Sequence, residues 1–510
     1  MRRGVARLPR RPRVSLVATI DDPDEVWIRA TFASLRAQVY PDWELCACDN
    51  GSTRPHVVPT LRALRADRRL KVRTLAAPVG RAGALAAALS AASGELCAIV
   101  GCGDELTPDA LFRAVELAGG GGSDVVYSDE IVVDEVGEPS EVALKPPWSP
   151  DLLLAGNYLG RLCVIRRDLV EAIGGPAAAS DDDEVEHDLL LRVSERARAI
   201  RHVPAILYRR RTLPPAEAQL GPSASPRATR AALRRRREDA SVQVGVDGWL
   251  RIERRSAHLS TVAAIVRVDP NASTAPVLRH LEGADAVEEI VIAGGREGAF
   301  AGREQVASTT PARAVNLAAA RTTSEYLLLL DGEGRPAERP TAGWIESLLA
   351  HAERGGVGAV GCRLLYPHGR LRQGGVLIDL DALTRRSYER MPTWAGAVSA
   401  ARRPFNPAIL RAECMMLPRA RFEALGGFDS ERLGRTLYDV DLALRLTERG
   451  LLNVYTPAVT FVCGAERELP PPAEVAYLWD RWWERLSTAL SGQHPAARLA
   501  LRDAAPALVP

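Results

Sequence analysis

Short apolar runs alternate with amphipathic segments along most of the chain. Runs such as Val14–Ile20, Leu45–Cys48 and Leu96–Val100 have the length and character of strands that are buried on both faces of a sheet. Between these runs, apolar residues recur three or four positions apart, as at Ile28 and Phe32, which is typical of helices. The alternation predicts an α/β fold with a mostly parallel sheet.

The same pattern occurs twice. The segment Glu186–Arg192 has a counterpart in Asp439–Arg445, and the pair Gly174-Gly175 has one in Gly426-Gly427. Such internal repetition indicates duplicated domains. The predicted organisation is a basic tail at residues 1–12, a first domain at 13–213, a linker at 214–257, a second domain at 258–465 and a C-terminal helical segment at 466–510.

Composition narrows the class of protein. The chain has 66 basic and 64 acidic residues and a net charge of +2, which argues against a dedicated nucleic-acid-binding protein. Its eight cysteines form no Cys-x-x-Cys pair, so neither a zinc site nor a disulfide framework is indicated. Reduced thiols favour a cytoplasmic location. No apolar run approaches the roughly 18 residues that span a bilayer.

Two segments leave peripheral contact with the inner face of the membrane open. The Arg-rich N-terminus could bind anionic lipid, although a solvated tail is the favoured interpretation. The C-terminal helix carries Trp479, Trp482 and Trp483, an aromatic surface that could lie on a membrane interface. Docking of this helix onto the second domain is the favoured alternative.

The clearest candidate for chemistry is Asp49, which ends the apolar run Leu45–Cys48 and begins the turn Asp49–Ser52. The carboxyl ends of parallel strands form the crevice in which open α/β sheets bind ligands. Asp49 could therefore accept hydrogen bonds from a nucleoside. The alternative is that Asp49 only caps the turn.

Several longer stretches carry a resemblance to a known family. They are TFASLRAQVYPDWELCACDNGS, KPPWSPDLLLAGNYLG and, in the second half, GVGAVGCRLLYPHGRLRQGGV. Both halves resemble inverting family-2 glycosyltransferases, most closely the tandem members of bacterial O-antigen and surface-polysaccharide synthesis. The resemblance implies two tandem GT-A domains, which are Rossmann-like with a mixed, mostly parallel sheet. It also implies transfer of a sugar, such as a hexose, from a nucleotide-diphosphate donor to a growing glycan or a lipid-linked glycan acceptor.

In the first half the resemblance assigns nucleoside binding to Asp49. Where the family carries Asp-x-Asp-Asp, this chain reads Gly101-Cys102-Gly103-Asp104, so Asp104 alone remains as a nucleotide-binding candidate. A single carboxylate is a poor cage for a hard cation, and Cys102 is expected to be a small buried filler. Glu186 matches the family's catalytic base.

In the second half the resemblance implies that the metal ligands are kept and the nucleoside-binding Asp is lost. Asp331 and Glu333 keep an oxygen pair suited to Mg²⁺ or Mn²⁺, and Asp439 matches the catalytic base. Asn316 keeps a nucleotide-binding position on the preceding helix, whereas Ala293 replaces the nucleoside-binding Asp. These matches predict that the second domain is the catalyst and that the first binds nucleotide.

Two other interpretations stay open. A protein that kept the fold could be a catalytically inert glycan-binding or scaffolding protein. Alternatively, a metal-independent transferase could neutralise the diphosphate with Arg161, Arg209 or Arg210. A nucleotide that stabilises the protein only with a metal would favour the metal-dependent enzyme.

Overall fold

The computed structural model describes residues 2–177, 184–212, 224–256, 260–269, 275–300, 302–337, 343–369, 371–373, 402–464 and 470–491. Residues 213–223 of the predicted linker and 492–510 of the predicted C-terminal segment lie outside the described residues. The chain forms two compact units. The first unit runs to Arg236 and also contains Val242–Arg251, and the second unit contains Arg237–Ser241 and Ile252–Ser491.

The first unit is an α/β structure whose elements alternate as the sequence predicted. Its strands are β1 (Val14–Ile20), β2 (Trp43–Asp49), β3 (Leu70–Thr74), β4 (Leu96–Ile99), β5 (Glu105–Leu106), β6 (Val125–Val133), β7 (Pro139–Ala143), β8 (Cys163–Arg166) and β9 (Ile200–Arg211). Its helices are α1 (Arg2–Val5), α2 (Glu25–Arg36), α3 (Val57–Leu64), α4 (Gly80–Leu89), α5 (Ala110–Gly121), α6 (Pro150–Ala155), α7 (Arg167–Ala172), α8 (Val185–Ser194) and α9 (Pro226–Arg236).

The sheet of the first unit has the strand order β3-β2-β1-β4-β8-β6-β9-β5, with β7 paired to β6. Strands β3, β2, β1 and β4 are parallel, and β8 runs antiparallel to β4. Asp49 pairs with Ile20, and Ile99 pairs with Val17. The carboxyl ends of β1, β2 and β4 therefore meet at one edge of the sheet.

The second unit repeats this architecture. Its strands are β12 (Val262–Val268), β13 (Val287–Gly294), β14 (Glu304–Val306), β15 (Tyr326–Asp331), β16 (Arg335–Pro336), β17 (Val357–Leu365), β18 (Leu371–Gln373), β19 (Cys414–Pro418) and β20 (Leu452–Val462). Its helices are α10 (Pro311–Ala319), α11 (Trp344–Ala352), α12 (Arg419–Ala424), α13 (Tyr438–Glu448) and α14 (Pro472–Ser491), with a 3₁₀ turn at Pro276–His280. Strands β10 (Ala240–Val244) and β11 (Leu250–Arg254) pair as a separate sheet.

The two sheets have the same strand order, and one arginine makes the same backbone hydrogen bond in each unit. The second sheet has the order β14-β13-β12-β15-β19-β17-β20-β16, which matches the first strand for strand. In the first unit Arg192 Nη1 donates to the backbone oxygen of Ile173 at 2.9 Å, and in the second Arg445 Nη1 donates to that of Leu425 at 2.7 Å. These matches confirm two tandem α/β domains with mixed sheets.

The central strands of each sheet are buried on both faces, which explains their nearly continuous apolar sequences. Strand β2 is buried along its whole length, and β12 is buried except at Arg267. In the second unit α14 packs through Trp482, whose Nε1 donates to Asp441 Oδ1 at 2.9 Å. The favoured docking of the C-terminal helix is thereby confirmed. Among the described helices, none combines the length and the apolar character needed to cross a bilayer.

Candidate functional site

The buried carboxylate of Asp49 lies at the carboxyl edge of the first sheet. Its Oδ1 accepts a hydrogen bond from the backbone N–H of Ser52 at 3.0 Å. The residue is 0% exposed, and its Oδ2 has no hydrogen-bond partner among the described residues. Because an unpaired buried oxygen costs free energy, a ligand donor at this point would be strongly favoured. Asp49 thus caps the turn with one oxygen, and nucleoside binding by the other stays a prediction.

The turn that follows Asp49 is held rigidly. Gly51 has a φ of +76°, and a Cβ atom there would lie 2.9 Å from the ring of Pro78. Asn50 Oδ1 accepts the backbone N–H of Val79 at 2.9 Å. The turn after β2 and the segment before α4 are therefore fixed against each other, which preorganises the site.

Asp104, the remaining carboxylate of the degenerate metal motif, is fully engaged by protein groups. Its Oδ2 accepts hydrogen bonds from Arg161 Nη1 at 2.7 Å and from the Tyr208 hydroxyl at 2.6 Å. Its Oδ1 accepts the backbone N–H of Arg211 at 2.8 Å. Burial and then the charge of Asp104 raise the pKa of Tyr208 well above its ordinary value, so this hydroxyl remains a donor. The positive group beside Asp104 therefore belongs to the protein itself and is the guanidinium of Arg161.

Gly101 stands at the first acidic position of that motif. A Cβ atom at Gly101 would overlap Arg161 Nη1 and Asp104 Oδ2. The neighbouring Cys102 packs against the core, and burial raises its thiol pKa to about 12. Cys102 is therefore the neutral filler that the sequence indicated. This motif does not fit a divalent cation, because Asp104 is its one carboxylate and both oxygens of Asp104 already accept hydrogen bonds from protein groups.

Glu186 lies in the first turn of α8 and is paired with Arg81. Arg81 Nε donates to Glu186 Oε1 at 3.2 Å, and Arg81 Nη1 lies 3.4 Å from Thr19 Oγ1. Burial raises the pKa of Glu186, but the positive charges of Arg81 and Arg161 outweigh burial and lower it below its ordinary value. Glu186 is thus an ionised carboxylate at the same sheet edge as Asp49, since Thr19 pairs with Cys48.

In the second unit Asp331 ends β15 and is largely buried. Its Oδ1 accepts the backbone N–H of Glu333 at 3.3 Å, and its Oδ2 lies 3.6 Å from Arg267 Nη2. The backbone bond from Gly334 to Asp331 repeats that from Asp104 to Gly101. Asp331 therefore corresponds to Gly101, so each half keeps the carboxylates that the other has lost.

The nucleoside position of the second unit differs by one residue from the sequence-based alignment. The last residue of β1 pairs with Asp49, and the last residue of β12, Val268, pairs with Gly294. Gly294, and not Ala293, is thus the counterpart of Asp49. A Cβ atom at Gly294 would overlap the backbone oxygen of Val268, so no side chain fits there without displacement.

The other two candidates in the second unit contact backbone groups. Asp439 is fully buried, and its Oδ2 accepts the N–H of Ala412 at 3.0 Å and lies 3.4 Å from Arg411 Nε. Asn316 donates to the backbone oxygen of Phe428 at 2.8 Å and accepts its N–H at 2.9 Å. Both side chains hold the fold together in this geometry, and their roles as base and nucleotide ligand stay predictions.

Sequence reasoning missed Arg81 and named Arg161 only with Arg209 and Arg210. Those two contact groups away from Asp104, since Arg209 donates to the backbone oxygen of Gly137 at 3.1 Å and Arg210 to Glu130 Oε1 at 3.2 Å. The available signal for Arg161 was the glycine at position 101. Over the described residues, no group of three or more His, Cys, Asp or Glu side chains could hold a metal ion.

Residues 18–162 match the sequence model of Glycosyl transferase family 2. This stretch contains the end of β1, all of β2 and β4, and the candidate residues Asp49, Asp104 and Arg161. The match within the first unit agrees with the family that the motifs indicated.

Similarity to individual proteins extends over both units. The chain is 32% identical over 493 residues to the O-antigen biosynthesis protein RfbC of Myxococcus xanthus, covering 89% of this chain and 37% of that protein. It is 28% identical over 491 residues to the uncharacterized protein y4gI of Sinorhizobium fredii, covering 89% of this chain and 53% of that protein. The chain thus spans about two fifths to one half of these relatives.

One solved structure to which the chain is similar is that of S. aureus TarS 1-349 in complex with UDP-GlcNAc. It is 19% identical, covers 44% of this chain and 64% of that chain, and superimposes with a TM-score of 0.35. A score of this size does not allow the position of its ligand to be transferred.

Proposed function

We propose that this protein binds a nucleoside diphosphate sugar in its first unit and transfers the sugar to a growing bacterial surface glycan. The observation that carries the proposal is the unpaired, fully buried Oδ2 of Asp49 at the carboxyl edge of the sheet. The family match around Asp49 supports a nucleotide-sugar donor. The name of the Myxococcus xanthus relative supports a polysaccharide or lipid-linked glycan as acceptor.

The groups at this edge suit the three tasks of such a transfer. Asp49 would accept an N–H of the nucleobase, and the guanidinium groups of Arg81 and Arg161 would neutralise the diphosphate. The acceptor hydroxyl oxygen would attack the anomeric carbon as its bond to the diphosphate oxygen breaks, with inversion. Glu186 would take the hydroxyl proton, and the nucleoside diphosphate would leave.

We place the donor in the first unit, although the sequence favoured the second. Gly294 offers no carboxylate for a nucleoside, and both carboxylate oxygens of Asp439 accept backbone N–H groups, those of Ala412 and Val440. An inert, scaffolding role is therefore proposed for the second unit alone. Binding of Mg²⁺ or Mn²⁺ by Asp331 and Glu333 stays a prediction, which a metal titration of wild type and Asp331→Asn would test.

A cytoplasmic location, with contact at the inner membrane face, belongs to the same proposal. The eight cysteines are free, and seven of them are buried. This is what a reducing compartment favours. Sedimentation with vesicles containing anionic lipid would test the membrane contact.

The nucleotide site is tested by titrating UDP, GDP and dTDP into wild type and Asp49→Asn. We expect one nucleotide to bind the wild type and to bind Asp49→Asn at least 10-fold more weakly, because a hydrogen bond to a charged group contributes roughly 1.5–3 kcal/mol. Asp168→Asn, on the surface of the same unit, is the matched control and should bind as the wild type does. Equal affinity in Asp49→Asn, or binding lost only in Asp331→Asn, would contradict the assignment.

A further inference from the structure

We infer that the first unit neutralises the donor's diphosphate with the guanidinium of Arg161 in place of a divalent cation, so that nucleotide binding there needs no metal. This inference rests on the proposed function and specifies how its site handles negative charge. It departs from the Mg²⁺ or Mn²⁺ that the family resemblance implied.

Gly101 has no room for a side chain while Arg161 keeps its present position. The backbone of Gly101 occupies the position at which the resemblance expects the first carboxylate. A side chain at Gly101 would overlap Arg161 Nη1 and Asp104 Oδ2. A carboxylate at Gly101 would therefore require the arginine to move, and this chain has the arginine in that place.

The residues of this motif offer too few oxygen ligands for a divalent cation. Divalent Mg²⁺ and Mn²⁺ require several oxygen ligands, and Asp104 is the one carboxylate left in this motif. Its oxygens already accept Arg161 Nη1, the Tyr208 hydroxyl and the Arg211 N–H, at 2.7, 2.6 and 2.8 Å. A cation bound beside Asp104 would also meet the positive charge of Arg161 at close range.

The side chain of Arg161 is exposed to solvent to a larger extent than that of its partner, Asp104. The Arg161 side chain is 30% exposed, whereas that of Asp104 is 1% exposed. Arg161 can therefore contact a ligand from the solvent side while Asp104 holds it from behind. A guanidinium fork matches phosphate oxygens in pairs, which suits a diphosphate.

The backbone that leads into Arg161 is fixed by close packing. The residue before it, Gly160, has a φ of +73°, and a Cβ atom there would overlap Glu130 Oε2 and Lys145 Nζ. Lys145 and Glu130 form a buried ion pair at 3.1 Å. The backbone that carries Arg161 is thus packed directly on this buried pair, so the guanidinium needs little rearrangement to meet a ligand.

The test is calorimetric titration of UDP, GDP and dTDP into the intact protein, in EDTA and then with Mn²⁺ or Mg²⁺. We expect the dissociation constant of the bound nucleotide to agree within about 2-fold between the conditions. Arg161→Ala should raise it at least 10-fold, and Arg161→Lys should raise it about 3-fold, because lysine keeps the charge but not the fork. The matched control is Arg113→Ala, on the exposed face of α5.

Arg161→Lys keeps a cation for Asp104, so the test does not depend on the folding of Arg161→Ala. A double variant restores a carboxylate at position 101 and removes the guanidinium at position 161. Gly101→Asp combined with Arg161→Ala should bind nucleotide at least 10-fold more tightly with Mn²⁺ than in EDTA. If this double variant stayed indifferent to metal, Arg161 would not stand in for a cation.

The outcomes separate this inference from the proposed function. Nucleotide binding that requires metal, but is lost in Asp49→Asn, would overturn the role of Arg161 and leave the nucleotide site in place. Unchanged affinity in Arg161→Ala would also overturn it. No binding of any nucleotide in either condition would refute both.

Discussion

At the scale of single residues, His187 shows how a group beside the candidate base can be purely structural. Its Nδ1 accepts the backbone N–H of Ser225 at 2.9 Å, and its Nε2 lies 2.7 Å from the backbone oxygen of Leu153. The ring is therefore neutral and carries its proton on Nε2. Burial lowers the pKa of His187 to about 4.

This histidine predicts a pH-dependent stability. Between the unfolded pKa of about 6.5 and the folded pKa, the unfolded state binds more protons, so stability is full above pH 6.5 and falls toward pH 4. The loss should reach about 3 kcal/mol. Urea unfolding gives the free energy of unfolding at each pH from 4 to 7. The slope of this free energy against pH should be shallower for His187→Gln than for wild type. Identical slopes would show that His187 does not titrate this way.

Residues also show where sequence reasoning ended. Asp49 could be predicted because its role follows from the end of its own strand. The partners of the other carboxylates could not, since Arg161 lies 57 positions from Asp104 and Arg81 lies 105 positions from Glu186. Whether a carboxylate is free or paired depends on such distant contacts, which local patterns do not encode.

At the scale of elements, the C-terminal helix caps a helix of the second unit. Glu474, on α14, accepts the backbone N–H groups of Arg435, Thr436 and Leu437 at 2.8, 3.0 and 3.2 Å. These groups lead directly into α13. A carboxylate at this position satisfies open donors and complements the helix dipole.

Glu474→Gln should therefore lower the free energy of unfolding by about 1–3 kcal/mol, because it replaces hydrogen bonds to a charged group by weaker neutral ones. Denaturant unfolding followed by circular dichroism measures the change. Asp480→Asn, at an exposed position of the same helix, is the control and should change stability by less than about 0.5 kcal/mol. Equal effects of the two substitutions would refute the capping role.

Elements also explain the one-residue error at Ala293. The pairing of β12 with β13 shifts between Val262 and Ala263, where Val287 is followed by Glu289 as partner. This irregularity moves Gly294 to the place of Asp49. The strands themselves could be predicted from their apolar runs, but a shift in pairing leaves no mark in those runs.

At the scale of the whole molecule, one fold occurs twice with complementary losses. Both units keep a carboxylate at the base position, as Glu186 and Asp439. The first alone keeps Asp49 and Asp104, and the second alone keeps Asp331 and Glu333. Each unit has its own buried core, one around Leu16 and Leu45 and the other around Val266 and Leu330. The duplication could be predicted from repeated motifs, whereas the unit suited to bind nucleotide could not.

Separate cores predict separate unfolding. Scanning calorimetry should give two transitions, and Glu474→Gln should lower only the one that belongs to the second unit. The nucleotide that binds the first unit should raise only the other. A single two-state transition that moves as a whole in both experiments would contradict independent cores.

The central claim is that the first unit binds a nucleotide through Asp49 without a metal. The most direct measurement is calorimetric titration of UDP, GDP and dTDP into wild type and Asp49→Asn in the presence of EDTA. The account predicts that one nucleotide binds the wild type in EDTA and binds Asp49→Asn at least 10-fold more weakly. Binding to the wild type that appears only after Mn²⁺ or Mg²⁺ is added, or that persists unchanged in Asp49→Asn, would contradict it.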